Sequence, residues 1–352
     1  MYVDAVGVAV PENRYTKGEC WAAFAASAWI ARLTPRSRAI TKAVLQADNG
    51  IEARYLAVSC LDEVFDIDPD TLHRRFSRNA PLLASAAAAS ALRRAGLDAR
   101  AIDAVIVSTC TGYLCPGLSS YVGENLGLRR DVLGYDLVGQ GCGGALPNWQ
   151  LASALLASGQ CEHVLSICVE VCTAAMYLDD DPGVLISACL FGDGAGAAVL
   201  SRRRPEGGRV IQWHQSVSLT DPQTRDALRF EQRAGLLRNV LTPAVPRLAA
   251  HYAREVFLRG IASAALQPTD ISTWIFHAGG RDVLRAIQND FDLAPEALSY
   301  SSDALRRYGN VSSAFVFFVL EAALAGNAPG GWWWMSSFGA GFSCHGALMS
   351  VT

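Results

Sequence analysis

The sequence predicts an α/β fold made of two duplicated halves, and three observations predict it. Apolar runs rich in Ile and Val alternate with Ala-rich helical stretches, the pattern of mixed, mostly parallel sheets covered by helices. At 352 residues the chain is longer than one hydrophobic core usually serves. A unit also recurs: ALRRAGLDARAIDAVIVSTC, ending at Cys110, is matched by IASAALQPTDISTWIFHAGG, ending at Gly280. Each reads as an Ala-rich helix, a polar turn and an apolar strand, and such repeats define architecture. Aligning Ile102 with Ile271 brings Cys142 opposite Val311, beside Asn310.

The elements follow in order. MYVDAVGVAVPENRY reads as a first strand and lacks the basic start and apolar core of a signal peptide. Thr16 to Leu45 is helical, with Trp21, Phe24, Trp29, Ile30 and Leu33 on one apolar face and Pro35 as a break. LDEVFDIDPDTLHRRF, after Arg54 and Tyr55, reads as a surface loop. Pro81 to Ala95 is a helix ended by Gly96, and Ile102 to Ser108 is a buried strand. The halves divide at the polar run RRRPEGG, giving residues 1–206 and 207–352. HVLSICVEV from His163 and GWWWMSSFGAG from Gly331 are corresponding strands of the two halves.

Composition narrows the function. A net charge of −3 gives no footprint for nucleic acid. The ten Cys are scattered, without zinc-site pairs or a disulfide framework, which fits a reducing, cytoplasmic setting. Leu137 to Cys161 carries no charge, but its Gly, Pro, Asn and Gln residues describe a buried core and not a membrane span.

The chain is organised around Tyr135 to Gly159, where Cys142 sits at a strand-to-helix turn between Gly141 and Gly143. Unpaired N–H groups and the helix dipole there are expected to favour the thiolate, making Cys142 a candidate nucleophile. Packed halves bring strand ends from both sides around one cavity, and the second half offers His277 at a strand end and Asn310 at a helix start. Taken singly, the first reads as a core histidine and the second as an N-cap. Together, Cys, His and Asn suit acyl transfer, with His277 and Asn310 donating to one thioester carbonyl and stabilising an enolate as it forms.

Five motifs then carry a resemblance: VGQGCGGA around Cys142, LFGDGAGAAVL from Leu190, WIFHAGG around His277, RYGNVSSA around Asn310 and FGAGF from Phe338. In order and spacing they resemble a bacterial-type type III polyketide synthase of the chalcone and stilbene synthase family, in the thiolase superfamily. The resemblance implies a thiolase-like fold with five layers, αβαβα. It implies Cys142 as the acyl-carrying nucleophile, His277 and Asn310 as the pair holding the malonyl carbonyl, and Phe191 as the gatekeeper between CoA tunnel and cavity. Cys110, Thr111, Cys172, Ala175, Ser312 and Gly339 match substrate-binding cavity positions. Several of these are small, from which a long or bulky acyl starter is expected. The implied reaction is decarboxylative condensation of malonyl-CoA onto an acyl-CoA starter, then cyclisation to an alkylpyrone, alkylresorcinol or related aromatic polyketide. No metal or cofactor is implied, GDGAGA is no nucleotide loop because no Lys-Ser/Thr follows, and a homodimer is expected, with Cys115 near its interface.

One stretch departs from the family. LQADNGIEARY is neutral to acidic until Arg54, where plant members carry basic residues for the CoA phosphates. Arg36, Arg38 and Lys42 are candidate substitutes, and an acyl carrier protein is an alternative donor. AGLLRNVLTPAVP also differs where a second aromatic gate would lie. Two other readings stand beside the main one: an initiating ketoacyl-carrier-protein synthase performing one condensation, and a weakly catalytic acyl-binding partner subunit.

Overall fold

The computed structural model describes all 352 residues. Its strands are β1 (Tyr2–Ala9), β2 (Arg14–Thr16), β3 (Ala53–Tyr55), β4 (Ala104–Ser108), β5 (Leu133–Leu137), β6 (His163–Glu170), β7 (Gly194–Ser201), β8 (Ile211–Thr220), β9 (Leu228–Arg233), β10 (Leu236–Leu241), β11 (Ile271–Phe276), β12 (Gly331–Gly339) and β13 (Ser343–Val351). Its helices are α1 (Lys17–Ala26), α2 (Pro35–Gln46), α3 (Pro69–Ala95), α4 (Leu118–Leu126), α5 (Ala145–Ala157), α6 (Pro182–Leu190), α7 (Val245–Ser263), α8 (Arg281–Phe291), α9 (Ser299–Tyr308) and α10 (Phe315–Ala325).

The main sheet runs β11-β12-β13-β8-β1-β7-β6-β4-β5. Its two halves touch only where Tyr2 pairs with Gln212 and Val3 with Ile211. Each half therefore behaves as its own sheet, and helices α5 and α10 lie between them, in contact with strands of both. Helices α3 and α4 cover the outer face of the first half-sheet, and α7 covers that of the second with α8 packed on it. This is the thiolase-like, five-layered arrangement. The middle strands β4, β6 and β7 are buried at every position but His163, which explains their mainly apolar runs.

Two expectations are corrected. Parallel pairing is confined to β5-β4-β6 and β11-β12, and the other neighbours in the main sheet are antiparallel. Strands β12 and β13 are joined by three residues, too few for the crossover a parallel pair needs. The stretch read as a surface loop also contains the first turns of α3, which starts at Pro69 and carries Pro81 inside it. Asp68 caps it by accepting from the N–H of Thr71. An interior proline costs about 3 kcal/mol relative to Ala. The buried row Phe76, Ala80, Ala84, Ala87, Ala88 and Ala91, packed against β1, β6 and β7, offsets that cost.

Candidate active site

The turn bearing Cys142 is clamped from both halves. Buried Asn148 on α5 donates through Nδ2 to the carbonyls of Ile106 and Ile167 and to Ser108 Oγ, at 3.0–3.2 Å, tying the helix to β4 and β6. Across the interface Ser337 Oγ donates to the Gly143 carbonyl at 3.0 Å. Gly141 has a φ of +55°, a conformation that favours glycine. Gly339 is not in the cavity wall, contrary to its expected substrate-binding place. A Cβ there would stand 2.5 Å from the Gln140 carbonyl and 2.6 Å from the Gly143 nitrogen, so its role is to let β12 approach this turn. Neighbouring Ala340 lines the cavity instead.

His277 follows β11 directly, its N–H donating to the Ser336 carbonyl at 2.9 Å. The ring sits edge-on between Phe315 and Phe338, and Nδ1 is buried without a partner. Asn310 is fixed by its backbone to α6: its N–H donates to the Leu190 carbonyl and its carbonyl accepts from Gly192, both at 3.0 Å. Its Oδ1 accepts from the Ser312 N–H at 2.9 Å and its Nδ2 donates to the Gly279 carbonyl at 3.2 Å. One Nδ2 proton is left over.

Two chambers meet at the thiol. The outer one, about 460 Å³, is lined by Cys142, His277, Asn310, Phe191 and Phe338, and its more exposed lining residues include Pro243, Arg281 and Asp282. The inner one is lined by Cys110, Thr111, Cys172, Ala175 and Ser312, with Cys142, Phe191 and Leu228 common to both. The backbone of Phe191 is held by buried Arg54, whose Nη1 donates to the Phe191 and Ala188 carbonyls at 2.9 and 2.7 Å. GDGAGA serves as scaffold. Buried Asp193 accepts from the Ala57 and Thr173 N–H groups and from Thr173 Oγ1, and a Cβ on Gly196 would run into Phe317.

The small cavity residues do not open the expected extra volume. Met176, Tyr177 and Phe230 occupy the space, leaving about 60 Å³ behind the thiol, far below the ~300–1,000 Å³ of a typical ligand pocket. Phe230 and Asn239 belong to the β9-β10 hairpin, which forms one wall and turns through Ala234 and Gly235, both at positive φ. Arg238 anchors that hairpin to Asp179 at 3.3 Å and Asp181 at 3.0 Å. Sequence reasoning missed this wall, although the Ala-Gly turn between alternating strands was a hairpin signal.

It also missed Glu170. This wholly buried carboxyl accepts from the Cys110 N–H at 3.0 Å, from Thr111 Oγ1 at 2.9 Å and from Ser313 Oγ. Burial raises its pKa, partly countered by those donors. Burial likewise pushes the Cys142 thiol up to about 12 and the His277 imidazole down to about 3. The expectation that the turn alone would favour the thiolate is thus corrected, because desolvation outweighs the N–H groups of the turn. Burial thus favours the neutral form of both groups. Arg36, Arg38 and Lys42 are exposed and none lines the outer chamber. No group of residues is arranged to hold a metal ion, and no helix is long and apolar enough to cross a membrane.

The fold and the cavity between its halves define a condensing acyltransferase of the thiolase-like class. Residues 57–212 match the family model for FAE1/type III polyketide synthase-like proteins, and residues 215–350 match that for the C-terminal domain of chalcone and stilbene synthases. The chain is 30% identical to 1,3,6,8-tetrahydroxynaphthalene synthase of Streptomyces peucetius subsp. caesius over 99% of its length and 92% of the relative's. It is 28% identical to phloroglucinol synthase of Pseudomonas fluorescens over 86% of each chain. The crystal structure of PKS-I from the brown alga Ectocarpus siliculosus superposes with a TM-score of 0.91 at 25% identity, covering 99% of this chain and 98% of that one. This chain belongs to the type III polyketide synthase family.

Proposed function

We propose that Cys142, His277 and Asn310 carry the chemistry of this type III polyketide synthase, each in a separate role. Cys142 sulfur attacks the carbonyl of an acyl-CoA starter, its proton passes to His277, and the CoA thiol leaves protonated. A malonyl thioester then enters the outer chamber with its carbonyl oxygen facing His277 and the free Nδ2 proton of Asn310. Loss of CO2 leaves its bonding electron pair as an enolate on that oxygen, where each donor is worth about 2.7–4 kcal/mol. The enolate carbon attacks the acyl carbonyl on Cys142 and the sulfur leaves; Cys142 then attacks the thioester of the lengthened chain, which returns to it as the second CoA thiol departs. The observation that supports this reading is the single chamber bounded by thiol, imidazole and carboxamide, with Phe191 at its junction with the inner one.

The tight inner chamber favours a compact starter, such as an acetyl or malonyl unit, over a long acyl chain. The products named for two relatives, tetrahydroxynaphthalene and phloroglucinol, are small aromatics and agree with that choice. We place the enzyme in the cytoplasm, where its ten free cysteines stay reduced. We assign it a homodimer through β5, an exposed sheet edge followed directly by the exposed Val138. Labelled malonyl-CoA supplied with acetyl, malonyl, aromatic and long-chain starters tests the function. Cyclised products of several extensions from the compact starters are expected. A single condensation product would favour the initiating ketoacyl synthase instead.

A further inference from the structure

The outer chamber is nearly uncharged, and the cations that the sequence offered for a phosphate lie outside its wall. Arg281 is the single Lys or Arg along it. It opens α8 four residues after His277, so its backbone is set rigidly relative to the site. Its guanidinium is under-used. Nη1 donates to the Asp48 carbonyl and lies 3.4 Å from the Asp48 carboxylate, Nη2 makes no hydrogen bond within the protein, and Nε is buried without a hydrogen-bond partner, 4.0 Å from the exposed Asp282 carboxylate. Asp48, its closest ion-pair partner, is an exposed loop residue, a pairing that water weakens.

Taking the chamber as the path of the thioester donor, as the proposed function does, we infer that Arg281 anchors the phosphate at the far end of the donor's pantetheine arm. The arm itself is neutral and suits a wall whose charged side chains are Arg281 and Asp282 alone. A guanidinium with free donors suits the phosphate, because its planar fork matches phosphate oxygens. The same phosphate occurs on CoA and on a carrier protein's phosphopantetheine. Asp48 then acts as a competitor that holds the guanidinium when no donor is present.

The test compares malonyl-CoA with malonyl-pantetheine, which has the same arm without the phosphate. In Arg281→Gln, KM for malonyl-CoA should rise about tenfold or more with kcat little changed, the loss of a charge-assisted hydrogen bond. KM for malonyl-pantetheine should not move. Arg281→Lys should recover part of the loss, and Asp48→Asn should lower KM for malonyl-CoA alone. Equal losses on both substrates in Arg281→Gln would overturn the inference and mark the residue as structural. With malonyl-carrier protein as a third donor, a loss confined to it identifies the carrier as the source of the phosphate, a loss on it and on CoA means both are read, and a loss on neither refutes the anchor. If no donor is turned over by the wild type, the proposed function fails. The anchor is then decided by calorimetry with CoA and pantetheine, where Arg281→Gln must weaken CoA alone.

Discussion

Ser312 Oγ lies 3.2 Å from Cys142 Sγ and 3.4 Å from Glu170 Oε1, so its single proton serves either the nucleophile or the buried carboxyl. The backbone of Ser312 is held at a φ of 50°, uncommon for a residue with a side chain, by the Asn310 Oδ1 that accepts its N–H. The hydroxyl is therefore placed by the residue proposed to bind the malonyl carbonyl. Ser312→Ala should slow starter loading on Cys142 by about ten- to a hundredfold, the usual worth of one hydrogen bond to a charged group. Malonyl decarboxylation should change less. Single-turnover loading followed by mass spectrometry separates the two steps.

His277→Ala tests whether the imidazole sets the thiol's charge. Burial, opposed by the Ser312 hydrogen bond, pushes the Cys142 thiol up to about 12 beside a neutral imidazole, and the variant has no imidazolium to counter it. A raised thiol pKa means the protonated form persists at every pH below it, and reactivity follows the thiolate fraction. Alkylation of the variant by iodoacetamide should be at least tenfold slower than wild type at pH 7. It should climb roughly tenfold per pH unit from pH 8 to 10 without a plateau, whereas wild type should vary much less. Matching profiles would show that His277 does not set the nucleophile's charge.

The contrast between these groups and their neighbours explains what could be read in the sequence. Cys142, His277 and Asn310 each end or begin an element whose period or glycine boundary is local, and the repeat placed Cys142 opposite Val311. Structurally, the 3₁₀ turns Gly141–Gly143 and Ser312–Ala314 each lead into a central helix, α5 and α10. Glu170 carried no such signal, because it is a lone carboxylate at the end of an apolar strand. Its meaning comes from Cys110, Thr111 and Ser313, which reach it from distant segments. The same holds for the thiol: its turn is legible, but the degree of desolvation depends on both halves closing over it. Pro81 misled in the opposite way, since local propensity marked a helix start and burial of the alanine row overrode it.

The edge strand gives a prediction about assembly. Leu133 on β5 is 39% exposed and Val138 just beyond it is 57% exposed, at the one edge of the first half-sheet that nothing pairs with. Leu133→Lys puts a charge where a second copy's strand would pair, a common block to edge pairing. Sedimentation should shift from dimer towards monomer. Chain stability should move by less than about 0.5 kcal/mol in the monomer, as expected for an exposed position. An unchanged mass would place the interface elsewhere.

Gly339 separates stability from catalysis. An alanine Cβ there meets the Gln140 carbonyl at 2.5 Å, the Gly143 nitrogen at 2.6 Å and the Cys142 nitrogen at 3.2 Å, all backbone atoms of the nucleophile's turn. Backbone cannot swing aside as a side chain does, so either β12 or the turn must shift. β12 is paired along its whole length with β13 and up to Ser336 with β11, so a shift of either element strains the nucleophile's turn. Gly339→Ala should therefore cost about 1–3 kcal/mol of stability but lower kcat by about a hundredfold if the sulfur moves by about 1 Å. Gly123→Ala on α4 is the control: its Cβ meets nothing within 4 Å, and it should leave activity unchanged while adding about 0.5–1 kcal/mol of stability. Full activity in Gly339→Ala, measured beside that control, would mean that the close approach of β12 does not position the nucleophile.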